Sequence, residues 1–64
     1  MHDLKMAVES LEDEIKGIAS YKEYIESVEC NELKKIFYDA MQAEKMHASN
    51  LLKWINAETH RSLN

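Results

Sequence analysis

Leu4, Val8, Leu11, Ile15 and Ile18 advance in alternating steps of four and three, and the series resumes at Ile25. That spacing returns side chains to one side of an α-helix at each turn, so residues 3–28 are expected to form a helix with an apolar stripe. Leu33, Phe37, Ala40, Glu44, His47, Leu51 and Trp54 repeat the step pattern, placing a second helix over residues 32–57 with Trp54 in the core. No proline interrupts either run. Asn31 followed by Glu32 reads as an N-cap with an acid in the first turn, which sets the turn at residues 29–31. Asp3 is a candidate cap for the first helix, and residues 58–64, which include "HRSLN", are expected to fray. Helices joined by so short a turn lie antiparallel. The expected fold is all-α: a two-helix antiparallel hairpin forming one domain over residues 1–64.

A hairpin alone has no layer on which to bury both stripes. Ile36, Met41, Ala48, Leu52 and Ile55 widen the apolar face of the second helix beyond what one partner helix covers. A chain of 64 residues also needs help to be stable, from disulfides, a metal or a partner. Cys30, the single cysteine, makes no intrachain disulfide and fits a reducing, cytoplasmic setting. Pairing with a second copy of itself, a homodimer that completes a four-helix bundle, is the expected solution, with room for larger assemblies.

Twelve acidic residues against eight basic ones, with no basic run, argue against a nucleic-acid partner and against anionic membranes. No apolar stretch approaches the ~20 residues of a membrane span. The opening "MHDLKM" lacks the basic start and apolar middle of a secretion signal.

The anomaly lies in "QAEKMHAS", residues 42–49, where Glu44 and His47 occupy stripe positions. Glu14 sits beside the stripe of the first helix, flanked by Leu11 and Ile18. Level residues of an antiparallel hairpin have numbers that add to a nearly constant value, and by that rule Glu14 stands level with both Glu44 and His47. Two carboxylates and an imidazole inside an apolar seam are costly unless a cation lies between them. A Glu on one helix facing Glu-x-x-His on the next is half of the di-iron carboxylate site of ferritin-like bundles. Two copies would supply four carboxylates and two neutral imidazoles to two divalent ions, so the charges balance. Iron suits these mixed oxygen and nitrogen ligands, and other divalent metals such as zinc or copper bind comparable sites. Glu14, Glu44 and His47 are therefore the candidate metal-binding and catalytic residues, with Tyr21 either near the site or simply packed. The competing reading is a polar seam that fixes register without metal.

The remaining candidates read more plainly. Met41 and Met46 are packing residues, His2 and His60 are solvated, and Glu9, Glu12, Asp13 and Glu23 form a solvated face. Gly17 either permits close helix approach or is a tolerated defect costing about 1 kcal/mol.

"LEDEIKGIASYKEY" followed by "NELKKIFYDAMQAEKMHASNLLKWI" resembles the encapsulated ferritins, half-length members of the ferritin-like superfamily. The resemblance covers residues 8–56 and is most specific at the Glu and Glu-x-x-His pair. It implies a ferroxidase whose iron centre forms between two chains from residues matching Glu14, Glu44 and His47, with Tyr21 matching a tyrosine near the metal. It also implies ring-shaped assemblies of dimers acting inside an encapsulin shell, where Fe(II) is oxidised for storage or detoxification. The sequence departs from the family at Lys16, where an acid stands beside the one matched by Asp13, and at Ser20, where a tryptophan stands. "ETHRSLN" contains neither the family's further helix nor a recognisable shell-targeting peptide. A rubrerythrin-like di-iron peroxide reductase and a purely structural helical dimerisation module are the alternatives.

Overall fold

The computed structural model describes the backbone of residues 2–63 and the side chains of residues 2–61. Two helices account for nearly all of it: α1, His2–Ser27, and α2, Asn31–Leu63. They lie antiparallel as a hairpin 51 Å long and 14 by 13 Å across. A helix of this length at about 1.5 Å rise per residue spans the whole molecule, so α2 sets the long dimension.

The ends of the helices differ from the sequence expectation in instructive ways. The Val28 N–H donates to the Tyr24 carbonyl at 2.9 Å, and the Lys34 N–H donates to the Cys30 carbonyl at 2.9 Å. Cys30 therefore closes the first turn of α2, and Asn31, expected to be the cap, is the first helical residue. Asp3 likewise lies within the first turn of α1 rather than before it, where its charge still favours the helix N-terminus. The stretch 58–64, expected to fray, is helical through Leu63, while Asn64 lies outside the described residues. Neither glycine nor proline stops α2 there. Arg61 donates to Glu58 at 2.8 Å, Thr59 donates to the Ile55 carbonyl at 2.8 Å, and the Arg61 charge complements the C-terminal end of the helix dipole.

The seam between the helices is thin. Among the described residues only the hydrophobic side chains of Met41 and Ala48, at 9% and 8% exposure, are buried, and none is fully enclosed. Leu4, Ala7, Leu11, Glu14, Ile18, Tyr21 and Ile25 line the α1 side half-buried, facing Phe37, Ala40, Glu44, Leu51 and Ile55. Trp54, expected in the core, is 40% exposed, and Ile36 and Ile15 are 60% and 55% exposed. The two apolar stripes are wider than one helix-to-helix contact, so their edges reach solvent. The chain exposes 5086 Å², where a compact monomer of this mass would expose about 4,200 Å². Among the described residues no helix is long and apolar enough to cross a membrane.

Candidate metal centre

Near the middle of the seam the apolar lining gives way to charge. Glu14, on the inner face of α1, brings its Oε2 to 3.5 Å from Nδ1 of His47 on α2. The two side chains differ in exposure, 20% for Glu14 and 58% for His47. The glutamate, expected beside the stripe, is in the seam, and the histidine, expected on the stripe, stands at its edge. The reason is angular: on α2 the residues facing α1 are Glu44, Ala48 and Leu51, and His47 sits one step around the helix from that line.

Glu44 completes the cluster from the centre of α2. Its carboxylate lies against Gly17 of α1, where a β-carbon would approach Oε2 to 2.9 Å and Cδ to 3.2 Å. The pKa of Glu44 is raised, first by a hydrogen bond with Glu14, then by burial and by the Glu14 charge, while His47 opposes the rise. Two carboxyl groups this close hold a proton between them more readily than two negative charges. Glu14 Oε2, by contrast, is buried and has no hydrogen-bond partner. A buried carboxylate oxygen that faces an imidazole nitrogen at 3.5 Å without a hydrogen bond is poorly compensated unless a cation or donor meets it.

One register explains these contacts. Glu14 with His47, Gly17 with Glu44, and Tyr24 with Phe37, whose ring centroids are 5.3 Å apart, are pairs whose residue numbers have the same sum. The level rule thus brings Glu14, Glu44 and His47 together as expected. It also identifies Gly17, whose contact with Glu44 the sequence reading missed although the same rule applied one turn along yields it. Tyr21 lies on the turn side of the cluster, its ring 6.0 Å from those of both Tyr24 and Phe37. Its recorded contacts are those of a packing aromatic.

The EncFtn-like family model matches residues 1–63. The chain belongs to the EncFtn-like family. Comparison with curated proteins and with solved structures returned no match. Within a single EncFtn-like chain, no group of three or more His, Cys, Asp or Glu among the described residues is arranged to hold a metal ion. The cluster nonetheless brings two carboxylates and an imidazole together, with His47 largely open to solvent. An open groove nearer the turn of this EncFtn-like hairpin, lined by Ile25, Asn31, Lys34, Lys35 and Tyr38, contributes no such ligand.

Proposed function

We propose that two hairpins pair through the faces carrying His47 and that their facing clusters form a ferroxidase centre for Fe(II). The buried Oε2 of Glu14, without a hydrogen-bond partner and 3.5 Å from Nδ1 of His47, carries this reading. Family membership supports it. In the pair, Glu14, Glu44 and His47 of each copy face their counterparts across a two-fold axis. Four carboxylates then neutralise two divalent ions, and the two imidazoles supply neutral nitrogen ligands.

Fe(II) is the substrate. Cation binding competes with protonation of Glu44, which the neighbouring Glu14 carboxylate favours, so the metal takes over the neutralising role. Two ions then give one electron each to dioxygen, and two protons from solvent complete hydrogen peroxide while the iron leaves as Fe(III). The protein's part is to hold the two ions at a suitable separation and to balance their charge. A thin bundle has no cavity for mineral, so the product passes to a storage compartment. An encapsulin shell is the partner that the sequence resemblance implies for that role.

The test is addition of Fe(II) to metal-free protein in air, following dioxygen consumption and the growth of ferric absorbance. Oxidation faster than in buffer, abolished in Glu44→Ala, is the expected result. A rate equal to that of buffer, or a Glu44→Ala variant as fast as the parent, leaves the cluster as a polar register lock. Substituting peroxide for dioxygen as oxidant distinguishes a peroxide reductase built on the same residues.

A further inference from the structure

Gly17 is the only glycine, and it sits inside α1 at a position where backbone conformation does not require one. No described residue, Gly17 included, has a positive φ. Glycine is the poorest helix former after proline, so its presence here needs a reason in space rather than in dihedral angle. That reason is the carboxylate of Glu44, whose Oε2 and Cδ would lie 2.9 and 3.2 Å from a β-carbon at position 17.

We propose that Gly17 is a positioning residue: its bare α-carbon seats the Glu44 carboxylate against α1, holding it beside Glu14 so that both can bind one divalent cation. The inference rests on the metal-centre reading above and adds the residue that sets the spacing of its carboxylates. A methyl group at position 17 meets only the far end of a flexible side chain. The helices need not separate to accommodate it, because Glu44 is half-buried and can swing outward. The expected result is an intact hairpin with Glu44 displaced from Glu14. Fold and site then respond to Gly17→Ala with opposite signs, since alanine also strengthens the helix.

The experiment titrates metal-free wild type, Gly17→Ala and Glu44→Ala with Co(II), read by its visible absorption, and records the thermal melting of each protein without metal. Gly17→Ala is expected to melt no lower than wild type while binding Co(II) about 10- to 100-fold more weakly, the usual loss when a residue orienting a ligand is changed. Unchanged affinity in Gly17→Ala, with binding lost in Glu44→Ala, overturns the role of Gly17 and leaves the metal centre standing. A fall in both melting temperature and affinity also overturns it, because glycine then serves helix packing. Absence of Co(II) binding by wild type, or full binding by Glu44→Ala, overturns the metal centre and this inference with it.

Discussion

Nδ1 of His47 lies 3.5 Å from Oε2 of Glu14 across the seam between the two helices. The imidazole is mostly exposed and the carboxylate mostly covered, so the pair contributes little to holding the hairpin together. Exposed pairs of this kind are worth about 0–1 kcal/mol. His47→Ala is therefore expected to change the urea midpoint of the metal-free protein by an amount within that range while lowering Co(II) affinity at least 10-fold. A large loss of stability with unchanged metal affinity would reverse the assignment from ligand to strut.

The raised pKa of Glu44 sets a pH dependence with a definite sign. Its ordinary value is 4.5, and the hydrogen bond with Glu14, followed by burial, raises it in the folded chain. The folded state thus keeps a proton that the unfolded state has released. The stability contributed by that proton is complete below about pH 4.5 and is lost as pH rises through the folded value. Metal-free protein should become easier to unfold by urea as pH rises above 4.5, and Glu44→Gln should flatten that trend. Metal affinity should change the other way, increasing with pH, because the cation competes with the same proton.

Met41 and Ala48 mark where the hairpin is most closely packed. Met41→Ala should cost about 2 kcal/mol, the low end for buried methionine, because a thin seam relaxes around the gap. Ala48→Leu should cost about 1–3 kcal/mol by forcing the helices apart. Denaturant unfolding of both variants measures these values, and a neutral Ala48→Leu would show that α1 and α2 approach less closely than described.

Ile36 and Trp54 flank His47 along α2 and are 60% and 40% exposed, which makes them the anchors of the proposed pairing. Trp54→Ala should weaken association about 30-fold, equivalent to about 2 kcal/mol, as truncation of a central interface tryptophan does. Sedimentation equilibrium across concentrations, with and without Co(II), measures the loss. Metal should tighten the wild-type pair, since it removes the repulsion among facing carboxylates.

Most of this architecture was legible in the sequence because helix periodicity and antiparallel pairing are both arithmetic. The steps of three and four located the helices, and the level rule placed Glu14 beside Glu44 and His47 before any coordinate. What escaped was of two kinds. Asn31 as cap and residues 58–64 as frayed end failed by local detail: the Cys30 carbonyl took the capping role, and contacts around Glu58, Thr59 and Arg61 carried the helix onward. The place of Trp54 and the seat of Glu44 failed because step patterns give a side of a helix but not its width. Whether Trp54 is covered depends on how far around α2 the neighbour reaches, and Gly17 is significant only for what it leaves empty.

The shortage of buried side chains sets how long a solitary chain endures. A hairpin that encloses little more than Met41 and Ala48 gives up few contacts when it opens, so a solitary chain is expected to be cut readily by proteases. In the proposed pair, covering the apolar faces would make such opening rarer and slow cleavage.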